Sequence, residues 1–589
     1  MLCQHLRQQC HPQRRQSPAL QAAAAISPST NKRSIKQAIR AALLGALSLS
    51  PLLATQASAD VIMLKNIKGY GFDAGRNLVT FNQLVYDDVS GRVLARGNGE
   101  QGFEQAKVVD GKGKTLLPGL IDGHGHVLGL GQSLSRVELR ESASEQDAAA
   151  MVKAFAVANP ALQWVLGRGW NQELWQSKGF PSRASLDAAG LDKPVWLRRV
   201  DGHAGWANSK ALALAGITRD TQDPDGGQIL KDANGEPTGV LVDNAMALLE
   251  QHIPEPTTAE RRAAFGTAFN HLLSLGITSV HDAGIGADEL ADYQALKDEG
   301  KLPVRIYAML SASAPELETW LNQGPILDER QQLVARSVKI YSDGALGSRG
   351  AALLAPYSDR PGETGLLVTP EPELGSLVKA VAAAGFQANI HAIGDRANRM
   401  VLDKLAKLDK KSRETARHRI EHAQVVAPAD LPRFAKLKVL PSMQPTHATS
   451  DMNMAGDRLG EARLKGAYAW RTLTDLGSPI IGGSDFPVEL ANPFHGLHAA
   501  VTRQDHQNQP AGGWRPEEKL TLAEALRAFT VDAAYGAFQE QDLGSLVEGS
   551  MADFILIDRD IFAAEPAEIW QTQVLETHVA GKRLYALGQ

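Results

Sequence analysis

Cysteine is nearly missing. The 589 residues contain two, Cys3 and Cys10. Everything after them is thiol-free, which excludes disulfide staples and thiolate metal sites from any core built downstream. Such a fold rests on apolar packing, and a metal in it must be held by nitrogen and oxygen. An excess of positive charge is also lacking. The first 59 residues carry seven Lys/Arg and no acid, so the remainder sets 54 basic against 66 acidic residues. That balance argues against nucleic acid or an anionic membrane surface as a partner. No long apolar run occurs after residue 60. Before it, Asn31-Lys32-Arg33-Ser34-Ile35-Lys36 leads into an apolar stretch from Ala41 to Ala54, and Ala57-Ser58-Ala59 offers a small-residue cleavage site. This is the order of a secretory signal peptide. A leader over 1–59, a mature start at Asp60, a periplasmic or secreted bacterial location and no stable membrane insertion after leader removal are therefore expected.

What remains is too long for one simple core and reads as several units. From 60 to 116, short strand-like runs such as Val61-Ile62-Met63-Leu64 and Leu84-Val85-Tyr86 alternate with Gly, Asn and Asp turns. Similar runs return over 541–589, as in Phe554-Ile555-Leu556-Ile557. Neither end is large enough alone, so the two are expected to form one composite β-sandwich. Between them, eight apolar runs alternate with helical segments such as 259–274, 287–298, 372–384 and 521–530. The runs begin at 117, 276, 304, 338, 387, 419, 439 and 479. This pattern predicts an α/β fold, a TIM-type (β/α)₈ barrel over 117–540, whose active site lies at the C-terminal ends of its strands. Residues 130–255 form an insertion with its own strands and five tryptophans, Trp164, Trp170, Trp175, Trp196 and Trp206. These either wall a lid over the mouth or pack the insertion's own core.

The first run, Leu117-Pro118-Gly119-Leu120-Ile121-Asp122-Gly123-His124-Gly125-His126, ends in two histidines one residue apart. In an extended strand both imidazoles face one side and can share an ion. The glycines at 123 and 125 are read as room for an ion and a substrate beside the backbone. His126, His281, His391, His422 and Asp485 are each expected to end a strand. Four histidines, Lys339 and Asp485 thereby collect at one mouth.

At this point the chain resembles a family. Asp-Gly-His-Ala-Gly-Trp-Ala-Asn-Ser-Lys-Ala-Leu (201–212), Ser-Asp-Gly-Ala-Leu-Gly-Ser-Arg (342–349), His-Ala-Ile-Gly-Asp-Arg-Ala (391–397), Arg-His-Arg-Ile-Glu-His-Ala-Gln (417–424) and Gly-Ser-Asp-Phe-Pro-Val (483–488) are similar to motifs of the amidohydrolase superfamily. The likeness is to its YtcJ-like and N-substituted formamide deformylase branch, amidohydrolase family 3. It implies a distorted TIM barrel beside the β-sandwich, and hydrolysis of a C–N bond in a small-molecule amide by metal-activated water. It implies zinc or a similar divalent metal, one or two ions, on His124, His126, His391, His422 and Asp485, with Lys339 as a carbamylated bridge and Asp485 as the proton carrier. An ammonium between two cations would be repelled, whereas a neutral amine can add carbon dioxide to give a carbamate with an oxygen for each ion. His203, His281, Arg349 and His447 are candidate substrate contacts, and Asp282 and Asp395 candidate supports. Two other readings stand beside this one: a single-metal D-aminoacylase-like deacylase with an ordinary Lys339, and a non-catalytic binding or regulatory protein on the same barrel. A homo-oligomer is compatible with all three.

Overall fold

The computed structural model describes residues 61–99 and 102–589, so the expected leader and its cleavage site lie outside the described residues. The centre is one eight-stranded, all-parallel sheet: β1 (Leu120–Gly125), β2 (Ile277–Ile285), β3 (Arg305–Ser311), β4 (Leu333–Tyr341), β5 (Gln387–Ala392), β6 (Arg419–His422), β7 (Leu440–Met443) and β8 (Ile481–Gly482). Each strand pairs with its neighbour in chain order, as right-handed crossovers through helices require. The helix Thr258–Ser274 that leads into β2 shows how these crossovers start. Thr257 accepts the Glu260 N–H, and the Glu260 carboxylate accepts the Thr257 N–H, so two of the open donors at the helix end are satisfied.

The barrel is nearly closed. β8 is only two residues long, and the link from it back to β1 is a single parallel bridge from Gly125 to Phe486. Here the expected role of the glycines is corrected. A Cβ on Gly123 would stand 2.6 Å from the Gly482 carbonyl, and one on Gly125 2.5 Å from the Phe486 ring. They let the last strand seat against the first rather than leave space for an ion. Asp122 fastens the same seam. It accepts the Ser484 hydroxyl at 2.6 Å and the backbone N–H groups of Ser484 and His124, each at 3.1 Å.

The histidine-bearing stretch 117–126 is also not one strand. Thr115–Pro118 pairs with Phe554–Ile557 in the sheet made by the two chain ends, Gly119 turns the corner, and β1 starts at Leu120. That sheet has eight strands, joins 61–118 to 554–586 in one hydrogen-bonded path, and encloses a core with Phe81, Leu84, Leu116 and Phe554. The insertion carries a six-stranded mixed sheet from Val137–Glu138 to Pro237–Asp243. Its tryptophans settle into its own interior. Trp170, Trp175 and Trp206 pack together with ring centroids 6.3–6.5 Å apart, and Trp196 and Trp164 serve a second apolar cluster. The aromatic wall over the mouth is thus replaced by core packing. Among the described residues no helix is long and apolar enough to cross a membrane.

Candidate metal centre

At the C-terminal end of the barrel, Asp485 sits between two pairs of histidines. Its Oδ1 lies 3.2 Å from His126 Nε2 and 3.7 Å from His124 Nε2. Its Oδ2 lies 3.8 Å from His422 Nδ1 and 3.7 Å from His447 Nε2. His126 stands just past β1, and Asp485 three residues past β8, so seating β8 against β1 is what brings the first pair to the carboxylate. His422 (φ +73°) and Asp485 (φ +60°) both hold left-handed backbone. For residues with a Cβ this costs about 1–3 kcal/mol and persists where surrounding contacts over-determine it. Burial opposes the Asp485 charge, yet the close approach of His126 and the neighbouring imidazoles holds its carboxyl well below the ordinary range.

Ring orientation is set from behind. The His124 Nδ1–H donates to Glu421 Oε2 at 2.5 Å, His126 Nδ1–H to the Ala283 carbonyl at 2.9 Å, and both Nε2 atoms are thereby left as lone pairs. Burial, then Lys339, pushes His124 down to about 4, so it is neutral at neutral pH. Glu421 is itself held by Arg419, which also donates to the Gly123 carbonyl, Ser442 Oγ and His281 Nδ1. Arg419 and Glu421 were passed over in the sequence although quoted within a motif. Strand alternation was the available clue, because i and i+2 in β6 point together into the barrel.

Lys339, fully buried on β4, donates from Nζ to His124 Nε2 at 3.2 Å and lies 4.5 Å over the Tyr341 ring. It therefore occupies the lone pair an ion on His124 would need. His391 ends β5 with its ring centroid 4.7 Å from that of His422 and 5.1 Å from that of His203. Its Nε2 approaches Asp343 Oδ1 at 3.6 Å, and burial holds the imidazole well below its ordinary pKa. Asp343 was also missed. It accepts the Ala352, Ile393 and Gly394 N–H groups, fixing the loop that follows β5, and burial raises it to about 7.

Two expected contacts are corrected. His281 lies in the middle of β2, wholly buried, with Arg419 on its Nδ1, so it supports the barrel interior instead of facing the mouth. Its partner Asp282 accepts the Val127 N–H and the Tyr293 hydroxyl. Arg349 pairs with Asp359 at 2.8 Å, beside the buried Arg458, and does not line the cavities at the histidines. Asp395 accepts the Leu354 N–H at 2.8 Å and opens the helix Asp395–Ala406. His447 does reach the mouth. Gln424 donates to its Nδ1 at 3.0 Å, which leaves Nε2–H directed at the cavity.

From the insertion, His203 comes to the same place, its Nδ1 2.6 Å from Asp243 Oδ1. The Asp243 partner, despite the burial that opposes it, raises the His203 pKa. Two cavities meet at the cluster. One of about 280 Å³ runs past His447, Asp451 and Glu489, and one of about 630 Å³ past His126, Lys339 and Arg168. Both are lined by His203, His391, His422 and Asp485.

The donor set fits a divalent cation. Asp485 Oδ1, both nitrogens of His391 and His447 Nε2 are buried without a hydrogen-bond partner, which is costly unless a ligand completes them. His124, His126 and Asp485 form one compact nitrogen–oxygen group, and His422 and His447 stand around the same carboxylate, His447 with its Nε2–H turned to the cavity as a donor rather than a ligand.

The amidohydrolase family profile matches residues 107–585. The chain is 35% identical over 514 residues to Protein LONG AFTER FAR-RED 3 of Arabidopsis thaliana, spanning 84% of this chain and 87% of that one. Against amidohydrolase YtcJ of Bacillus subtilis it is 32% identical over 492 residues, 82% and 91%. Against the N-substituted formamide deformylase of Arthrobacter pascens it is 28% identical over 494 residues, 82% and 90%. Among solved structures, an uncharacterized metal-dependent hydrolase from Pyrococcus furiosus matches with a TM-score of 0.66 and 30% identity, over 85% of this chain and 99% of that one.

Proposed function

Because the chain belongs to the amidohydrolase family, we propose that it is an exported metal-dependent hydrolase that cleaves the C–N bond of an amide, of the N-formyl or N-acyl class. The observation that carries the reading is Asp485, a buried carboxylate with an unpartnered oxygen, held between two histidine pairs at the closing seam of the barrel. The name of the Arthrobacter relative, a deformylase of N-substituted formamides, supports the choice of a C–N bond for this chain.

His124, His126, His391, His422 and Asp485 would hold the metal, zinc or a similar divalent ion. Lys339 would serve as a carbamate bridge if there are two ions. When bound, such an ion supplies Lewis acidity, polarising a carbonyl and making water acidic near neutral pH. The protein's own share is positioning and proton transfer. Asp485, ionised at neutral pH, takes the proton of the attacking water on a carboxylate oxygen and passes it to the leaving nitrogen. The Nε2–H of His447, 3.7 Å from Asp485, is placed to donate to the carbonyl oxygen as it gains charge. His203, braced by Asp243, closes the opposite side of the mouth and orients the substrate.

Lys339 decides between one ion and two. As an amine it bonds the His124 lone pair, the arrangement of the single-ion reading; as a carbamate it would vacate that position and add two oxygens. Purified mature protein should hydrolyse members of a panel of N-formyl amines, N-acyl amino acids and cyclic amides, lose activity to a chelator and regain it with zinc. With two ions, Lys339→Ala drops the metal content from about two to about one or fewer and is partly rescued by acetate. Unchanged metal and turnover in Lys339→Ala would put the single-ion deacylase first, and full turnover by metal-free protein would end the reading. N-terminal sequencing of native protein tests export, for which Asp60 is the expected first residue.

A further inference from the structure

Nearly every cation around the mouth is matched. Arg140 is held by Glu138 and by the Pro487 and Val488 carbonyls. Arg198 pairs with Glu250 at 2.7 Å, and Arg199 with Asp201 at 2.6 Å. Arg168, on the insertion strand Val165–Trp170, is the exception. Its Nη2 donates to the Val200 carbonyl at 2.8 Å and its Nε is buried without a partner. Among the described residues it forms no ion pair. Burial, then the like charge of Arg140, pushes the guanidinium down to about 9, which still leaves it cationic at neutral pH. A largely desolvated charge with no direct ion-pair partner, on which the Glu138 and Asp485 carboxylates act only from a distance, is costly to keep for packing alone.

Its place gives the charge a use. Arg168 lines the 630 Å³ cavity together with His126, Lys339, His391, His422 and Asp485. It also lines an adjoining cavity of about 310 Å³ that is walled by Arg136 and Arg198. The opposite cavity, of about 280 Å³, carries Asp451 and Glu489, whose charge would repel an anion. Both cavities carry charges of both signs, and on the Arg168 side Glu250 and Asp243 are already paired with Arg198 and His203.

We propose that Arg168 recognises a carboxylate on the substrate, so that the amide cleaved is an N-formyl or N-acyl amino acid or a similar acid, seated with its carboxylate on the guanidinium and its carbonyl at Asp485. A planar guanidinium matches a planar carboxylate through paired charge-assisted hydrogen bonds. The proposal rests on the amide-hydrolase reading for the scissile bond but not for the binding of the acid.

Binding and turnover can be separated with sulfonamides, which the hydrolytic chemistry leaves intact. Calorimetric titration of the full-length, metal-loaded protein with racemic N-methanesulfonyl-phenylalanine and with N-methanesulfonyl-phenethylamine compares ligands that differ by one carboxylate. The acid is expected to bind at least about tenfold tighter to wild type. Arg168→Met should erase that preference while leaving affinity for the neutral ligand in place, and Arg168→Lys should restore part of it. Equal binding of both ligands to wild type, binding of neither, or a preference that survives in folded Arg168→Met overturns the proposal. Should Arg168→Met fail to fold, the wild-type comparison and Arg168→Lys still decide. If the acid is preferred but N-acetylphenylalanine is not hydrolysed, the hydrolase reading falls and carboxylate recognition stands.

Discussion

In the barrel, His126, His391, His422 and Asp485 stand where strands run out. In the insertion, Arg168, Arg199 and His203 reach the same mouth from the middle or flank of a separate sheet. The two regions reach one cavity by different logic. A parallel barrel exposes every strand end on one rim, so chemistry at that rim follows from strand order alone. The insertion sheet buries apolar residues on both faces, its tryptophans divided between two clusters, and Arg168, Arg199 and His203 are polar side chains it still presents to the mouth. The barrel side carries the groups that would bind metal and move protons, and the insertion carries those that would select substrate.

The sharpest test of that division is Asp485→Asn. It keeps the shape and removes the proton acceptor, and turnover should fall by roughly 10²–10⁴-fold with the barrel still folded. Initial rates with metal content measured in parallel check it; near-normal turnover would remove Asp485 from the chemistry. Trp206→Ala should do the reverse. Trp206 is fully buried and its Nε1–H donates to the Ser182 carbonyl at 3.0 Å. Its removal should cost about 3–5 kcal/mol of stability, seen in urea unfolding, while kcat below the new transition stays near wild type. A large fall in kcat with little loss of stability would return the aromatics to the role of a substrate wall.

The barrel was legible because eight apolar runs with chemistry at their ends leave little other topology, and helices such as Thr258–Ser274 and Ala287–Asp298 lie within a residue of where periodicity put them. The strand-end rule failed at His281 because β2 runs three residues past Asp282, which lowers the histidine into the barrel. Arg349 was misplaced for another reason: its partner Asp359, which it shares with Arg458 of the short helix Ala455–Leu459, lies on a turn whose approach no local pattern encodes. The Gly123 and Gly125 reading failed because what crowds them, Gly482 and Phe486, lies more than 350 residues away in sequence.

A histidine outside the cluster sharpens the contrast between a functional imidazole and a structural one. His418, next to Arg419, accepts the Ala388 N–H on Nδ1 at 3.0 Å, and burial pushes it down to about 4. A folded-state pKa below the unfolded value of about 6.5 means stability present above pH 6.5 and lost as pH falls toward 4. The shift corresponds to roughly 3 kcal/mol. In urea unfolding at a series of pH values, His418→Asn, whose carbonyl can still accept the N–H, should lose less stability on acidification than wild type by about that amount. Identical acid limbs would mean that the group titrates normally in the fold.

The smallest expected effect lies behind His124. Glu421 accepts its Nδ1–H at 2.5 Å and is clamped by Arg419, all three side chains fully buried. A negative partner on Nδ1 raises the basicity of Nε2 and fixes the tautomer that leaves a lone pair for an ion. Glu421→Gln retains an acceptor and the shape but removes the charge, so metal affinity should drop by about 10–100-fold, the usual cost of losing such a partner. Arg419, deprived of its counter-charge, should lower the melting temperature as well. Competition with a chromogenic chelator, normalised to folded protein, reads the affinity without relying on turnover. A Glu421→Gln protein that binds metal as tightly as wild type would show that the carboxylate serves Arg419 and the barrel interior, and that His124 is set by the seam between β1 and β8 alone.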